Sequence, residues 1–316
     1  MKLKIAFFGS PDFAARLLER IADELSDMVE VSLVITQPDK KVGRKQILTP
    51  SPVKVAAERL SLPVHEGMPD PERLKSIDLA VLYAYGEIIS ADILSAPRHG
   101  IWNIHPSLLP LYRSSSVMIY PLLLGDTRTG VTLMQMDEQL DHGPIIAQRE
   151  YPLEITSTRT QLEPALTDIG FVLLKESLVN LQAGTLKATP QNHAQATFTR
   201  EVKKDDGYIP LDILKKSMDP GTAHETGFVP QVLLRYYKKN PHIPPRTFSA
   251  AETVWNMYRA LHPWPGIWTM ITLEGVEKRL KLLDVTQGKA ITIRTVQLEG
   301  KNAVDLETFN RAYNIF

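Results

Sequence analysis

Residues 101–113 read Ile-Trp-Asn-Ile-His-Pro-Ser-Leu-Leu-Pro-Leu-Tyr-Arg, a stretch that holds both a buried strand and the reason it stops. Residues 101–104 carry the apolar content of a short buried strand. Side chains alternate across a strand, so Asn103 and His105 point to the same side at its end. Pro106 and Pro110 each lack a backbone donor and have a restricted φ, which ends the strand and stiffens the stretch that follows into a loop. An amide donor and an imidazole therefore stand side by side at the mouth of a rigid turn. Downstream, Met136-Asp-Glu-Gln-Leu-Asp141-His-Gly143 follows a second expected strand and precedes a third, and Asp141 is the carboxylate best placed to orient the imidazole. Taken singly, a strand-end Asn, a lone His and an Asp before x-Gly are commonly turn formers or structural residues. An imidazole with an amide and an orienting carboxylate is the pattern that acid, base or oxyanion chemistry requires.

Around this stretch the chain alternates strands and helices. Strands are expected at 4–8, 29–36, 79–84, 101–104, 130–136 and 145–151. Helical spacing runs through 13–25, 53–60, 116–124 and 158–183, with Ser90 expected to cap a short helix through 96. This order predicts an α/β fold, a Rossmann-like parallel sheet with helices on both faces and a ligand site beyond the carboxyl ends of the strands. Only Gly9 stands in the first β-turn-α unit, so the three-glycine dinucleotide fingerprint is missing and an NAD enzyme is rejected.

Bulk properties exclude other classes. The 316 residues suffice for two domains, and 43% apolar with 23% charged is ordinary globular composition. The absence of Cys removes a disulfide framework and a cysteine nucleophile, and the eight His show no His-Glu-x-x-His spacing, so no metal is expected. With neither a long apolar run nor a secretory signal, the expectation is a cytoplasmic protein without a membrane, and a monomer. Net charge is zero, but residues 1–199 hold 19 Lys and Arg against 23 Asp and Glu, while residues 200–316 hold 17 against 13. A basic second half can face a polyanion, although such an excess is also common on solvated surfaces.

Periodicity fades between 188 and 204, which marks a linker. The domains are accordingly expected at 1–189 and 206–316, joined by 190–205. Ser249-Ala-Ala-Glu252 fits a capping box that opens a helix, and short alternating runs at 267–273, 280–285 and 291–295 suggest a small β-barrel. Trp264, flanked by prolines, and Trp268 are expected to be packing anchors rather than stacking surfaces for nucleic acid. Residues 37–51 form a stretch too long for a plain connection, made basic by Lys40, Lys41, Arg44 and Lys45, with Gly43 as a pivot.

Asn103-Ile-His105-Pro-Ser-Leu-Leu-Pro110 followed by Met136-Asp-Glu-Gln-Leu-Asp141-His-Gly143 resembles the 10-formyltetrahydrofolate-dependent formyltransferases, and in particular their methionyl-tRNA branch. Phe8-Gly-Ser-Pro-Asp-Phe13, Ala84-Tyr-Gly86 and His262-Pro-Trp-Pro265 extend the likeness over most of the chain. The resemblance implies an OB-like β-barrel after the first domain and formyl transfer from 10-formyltetrahydrofolate to the α-amino group of initiator methionyl-tRNA, for translation initiation. It implies Asn103, His105 and Asp141 as catalytic residues. Tyr83, Ala84, Tyr85, Gly86, Ser107, Leu108, Leu109, Pro110 and Asp137 would line the folate site, and Lys40, Lys41, Arg44 and Lys45 would meet the tRNA. A sugar-nucleotide N-formyltransferase using the same donor is the alternative. Three departures stand out. Ser114-Ser-Ser-Val117 replaces the usual Gly-Ala-Ala-Pro, His142 stands where Thr is usual, and the Pro-rich residues 211–248 are an insertion, read as a surface elaboration in preference to an extra tRNA contact.

Overall fold

The computed structural model describes residues 2–43 and 46–316. The chain packs as two compact units that interleave in sequence. The first comprises Met1–Arg113, Thr129–Pro152 and Glu163–Ala196, and the second Ser114–Arg128, Leu153–Leu162 and Thr197–Phe316.

The first unit is built on a seven-stranded sheet. In chain order its elements are β1 (Leu3–Gly9), α1 (Asp12–Glu24), β2 (Val29–Thr36), β3 (Lys40–Val42), β4 (Ile47–Thr49), α2 (Pro52–Arg59), β5 (Val64–Glu66), β6 (Leu79–Tyr83), α3 (Ala91–Ser95) and β7 (Ile101–His105). After α4 (Ile119–Leu123), which belongs to the second unit, come β8 (Arg128–Gln135), β9 (Ile145–Pro152) and α5 (Arg159–Gln182). The strand order is β5-β2-β1-β6-β7-β8-β9. Pairing is parallel from β5 through β7, and β8 then runs antiparallel to β7. Both faces are covered, as strand alternation requires. On one, the Tyr83 ring meets Phe13 of α1 edge-on at 5.0 Å, and its hydroxyl lies 3.1 Å from Thr167 of α5. On the other, Ala6, Phe8, Ala80 and Leu82 share a buried cluster with Ile93 of α3. Gly170 of α5 leaves no room for a side chain, because a Cβ there would stand 2.7 Å from the Ile104 Cγ2 of β7.

The basic stretch expected to be irregular is partly a hairpin. β3 pairs antiparallel with β4, with Gly43 at φ +71°. Ile47, Leu48 and Thr49 have the aliphatic and β-branched side chains that a strand favours. The Lys54 ammonium secures the base of the hairpin to the sheet edge by bridging Asp39 (2.8 Å) and Glu66 (2.7 Å). Ser90 precedes α3 as expected, but its hydroxyl bonds the Asp92 side chain and makes no backbone cap. The helix expected over 116–124 is reduced to α4 because Ser116 sits at φ +59°, outside the helical region.

The second unit continues with α6 (Leu211–Met218), α7 (Gln231–Lys239), α8 (Ala250–Leu261), β10 (Ile267–Leu273), β11 (Val276–Gln287), β12 (Ile291–Leu298), β13 (Ala303–Asp305) and α9 (Leu306–Tyr313). Its antiparallel sheet has the order β10-β11-β12-β13. Ser249 and Glu252 form the expected reciprocal capping box on α8. The insertion is not a surface elaboration. Val232, Leu233, Tyr236 and Tyr237 give α7 one buried face, and Leu214 of α6 is fully buried. Asp206 holds α7 in place by accepting from Arg235 (3.2 Å) and from Arg200 (2.7 Å). Trp268 is an anchor, 9% exposed and bonded through its indole N–H to the Lys204 carbonyl at 3.1 Å. Trp264 is not one, since 49% of it is exposed. No helix among the described residues is long and apolar enough to cross a membrane.

Candidate active site

β7 delivers Asn103 and His105 to one face at its carboxyl end, opposite Met134 and Thr132 of β8. Both are buried, at 7% and 4% exposed. The loop after β8 returns Asp141 to them. Its carboxylate Oδ1 accepts from Asn103 Nδ2 at 3.3 Å and lies 3.6 Å from His105 Nδ1. His105 Nε2 is 3.0 Å from the Tyr112 carbonyl, which can only accept, so this nitrogen carries its proton. With Nε2 committed to a carbonyl, Nδ1 can donate toward the Asp141 carboxylate only as the imidazolium. The three catalytic candidates are thus brought together, and both ring nitrogens of His105 face a protein acceptor.

Loop geometry produces this arrangement. Asp141 lies at φ +46° and Tyr112 at φ +61°, left-handed conformations that disfavour side chains bearing a Cβ. Gly143 is required, because a Cβ there would come within 1.9 Å of the Gln135 carbonyl oxygen. The 107–110 loop is tied down from beneath by Thr132. Its hydroxyl accepts from Leu109 N (3.1 Å) and from Gln148 Nε2 (2.7 Å) and donates to the Ser107 carbonyl (2.7 Å). Gln148 also donates to the Leu109 carbonyl at 3.0 Å, and the Ser107 hydroxyl donates to the Leu111 carbonyl at 2.7 Å. Thr132→Val strands a buried N–H and a buried C=O at once. It should cost about 2 to 4 kcal/mol in chemical denaturation, and a change below about 0.5 kcal/mol would show that the loop does not depend on this knot.

The residues implied for folate fall into two groups. Tyr83 is fully buried and packed under the sheet, so its side chain belongs to the core. Ala84 (φ +54°) and Gly86 (φ +89°) turn the backbone just beyond β6. Tyr85 is 1% exposed, and burial, followed by the charge of Glu87, pushes its hydroxyl up to about 12. Ser107 and Leu109 are buried, Leu108 and Pro110 half-buried. Asp137 accepts from Gln139 N at 3.0 Å and pairs with His142 Nδ1 at 2.7 Å. Among the basic residues, Lys40 and Lys41 are exposed on β3, while Arg44 and Lys45 lie outside the described residues.

Several contributors escaped sequence reasoning. Thr132 and Gln148 look like ordinary strand residues, and Gln191 lies in a stretch without periodicity. The Gln191 side chain donates to the carbonyls of Asp141 (2.9 Å) and Gly143 (2.8 Å) and accepts from Arg113 at 2.7 Å. Arg113 also reaches His193 Nδ1 at 2.8 Å, and the His193 ring stacks on His142 at 3.8 Å. Burial, then the nearby His142 and Arg113, holds the His193 imidazole below its ordinary value, which keeps Nδ1 available as an acceptor.

An amide and an imidazole at the end of a parallel strand, with a carboxylate facing both, form an arrangement that a formyl transferase can use. The chain belongs to that family: residues 3–178 match the formyl transferase model, and residues 248–290 match the formyl transferase C-terminal domain. It is 34% identical to a methionyl-tRNA formyltransferase of Roseiflexus castenholzii, over 100% of this chain and 97% of that protein. A methionyl-tRNA formyltransferase of Listeria monocytogenes serovar 1/2a is 33% identical, over 97% of this chain and 94% of the relative. A solved 4-N formyltransferase from Francisella tularensis shares the fold, with a TM-score of 0.60 at 15% identity over 89% of this chain and 97% of that one.

Proposed function

We propose that this enzyme transfers the formyl group of 10-formyltetrahydrofolate to the α-amino group of initiator methionyl-tRNA. One observation carries the reading: Asn103, His105 and Asp141 converge within 3.6 Å at the end of β7, in a chain related from end to end to methionyl-tRNA formyltransferases. When an amine attacks a formyl carbon, negative charge develops on the formyl oxygen. The Asn103 amide and the His105 imidazolium are donors suited to receive it, and fixed donors of this kind stabilise such charge far better than reorganising water does. Asp141 holds both donors. The attacking α-amino group has an ordinary pKa of about 8, so a large neutral fraction exists near pH 7 to 8 and a strong base is not demanded.

Ala84 to Gly86 and Ser107 to Pro110 flank the carboxyl ends of β6 and β7, where a ligand of a parallel sheet sits. Those segments are assigned here to the folate donor, with Asp137 beside them. Lys40, Lys41, Arg44 and Lys45 are assigned to the tRNA, and the chain is assigned to the cytoplasm as a monomer.

The test is formyl transfer from 10-formyltetrahydrofolate to charged initiator methionyl-tRNA, run beside an amino-sugar nucleotide acceptor. Transfer to the tRNA is expected. Transfer to the sugar alone would overturn the acceptor assignment. Binding of tRNA should also weaken with salt, with a log–log slope of about −0.7 to −0.9 per phosphate contact. Replacing Lys40 and Lys41 together with Ala should make that slope shallower by about 1.4 to 1.8 if both residues meet phosphates, whereas an unchanged slope would remove them from the interface.

A further inference from the structure

Five residues form a closed ring of contacts around the imidazole. His105 Nε2 is held by the Tyr112 carbonyl at 3.0 Å. Tyr112 is followed by Arg113, whose guanidinium donates to Gln191 Oε1 at 2.7 Å. Gln191 Nε2 donates to the Asp141 carbonyl at 2.9 Å and to that of Gly143 at 2.8 Å, and the Asp141 carboxylate faces His105 Nδ1 at 3.6 Å. The ring thus begins and ends on the two nitrogens of one side chain. Both backbone segments that grip His105 pass through left-handed, non-glycine residues, Tyr112 and Asp141. Such conformations persist only where the surroundings over-determine them. Gln191 and Arg113 supply that restraint from within the protein, being 6% and 4% exposed.

Gln191 lies beyond residues 3–178 and before residues 248–290, outside both matched segments. It is delivered by a short antiparallel bridge in which Thr189 and Ile145 exchange hydrogen bonds of 2.8 Å. We propose that Gln191 is a positioning residue for formyl transfer: through the backbone of Asp141 it aims the carboxylate at His105 and Asn103, and through Arg113 it couples that aim to the Tyr112 carbonyl on the other side of the ring. The proposal rests on the formyl-transfer reading above. The competing account makes Gln191 only a neutral acceptor for the buried Arg113.

Gln191→Glu separates the two accounts. The carboxylate keeps, and strengthens, the acceptor for Arg113. It replaces the donor to two carbonyls with a second acceptor, so the Asp141 turn is no longer held. If Gln191 positions Asp141, kcat falls by about 10- to 100-fold, the loss that a misplacement near 1 Å produces, while KM for the folate donor stays within about threefold. The 15N resonances of the His105 ring, assigned by comparison with His105→Asn, move in the same variant because the facing carboxylate has shifted.

Wild-type kcat with unmoved His105 resonances in Gln191→Glu would overturn the proposal and leave Gln191 as an anchor for Arg113. If the wild-type enzyme transfers no formyl group, the functional reading fails by itself, and the His105 resonances in the same samples still decide whether Gln191 sets the geometry. Should Gln191→Glu melt below the assay temperature, Gln191→Met takes its place. It is similar in shape and has no amide donor, so it should show the same loss of kcat, and wild-type kcat there would overturn the proposal equally.

Discussion

Asn103→Ala lowers kcat for formyl transfer by about 10²- to 10³-fold, corresponding to about 2.7 to 4 kcal/mol of transition-state stabilisation. The expectation follows from how Asn103 is held. Its amide sits at the buried end of β7, where one N–H points to Asp141 Oδ1 at 3.3 Å and the amide carries a second N–H for an incoming oxygen. A donor fixed in this way needs no reorganisation as charge develops. The lost hydrogen bond to Asp141 is long, at 3.3 Å, so thermal stability should drop by a few degrees at most. Turnover within about threefold of wild type would mean that Asn103 does not receive the developing charge. A collapse of Tm in parallel with turnover would mean that its role is to build the strand end.

Asp141→Asn lowers kcat by about 10²- to 10⁴-fold, and combining it with His105→Ala costs less than the product of the two single losses. A single oxygen of Asp141 serves both neighbours, Asn103 at 3.3 Å and His105 at 3.6 Å, so an uncharged amide at this position loses its grip on two donors together. The Asp141 carboxylate faces His105 Nδ1, just as the Tyr112 carbonyl faces Nε2. If Asp141 acts through His105, the two substitutions remove one function and their effects do not add. Additive losses in kcat would instead give Asp141 a separate role in moving the amine proton, and a double-variant cycle measured at saturating tRNA distinguishes the outcomes.

The pairing of Asn103 with His105, two of the three residues proposed for catalysis, was legible because its signal is local. Alternation along 101–105 places Asn103 and His105 on one side whatever the rest of the chain does, and Pro106 ends the strand beneath them. The capping box of α8 and the first β-α unit have the same character, each being set by residues three or four positions apart. The insertion packs otherwise than its composition suggests. Its prolines at 220, 230, 241, 244 and 245 suggested an irregular surface segment, whereas the amphipathic face of α7, spaced one and four residues apart at Val232, Leu233, Tyr236 and Tyr237, decided the packing. The hairpin of β3 and β4 leaves no burial pattern in the sequence, because Lys40 and Lys41 on one strand and Ile47, Leu48 and Thr49 on the other are all exposed.

What the sequence by itself determined is the alternating α/β order and the strand end that presents an amide and an imidazole, because short-range periodicity and proline stops act within a few residues. Only the tertiary structure decided that the Asp141 carboxylate, 38 residues along the chain from Asn103, meets them and how it is aimed. Gln191 reaches Asp141 across 50 residues of chain and Arg113 across 78, and Thr132 gathers the 107–110 loop from a neighbouring strand. Side-chain bonds to distant backbone carbonyls leave no periodic trace in the chain, since their partners become neighbours only when buried polar groups must be satisfied in the folded protein.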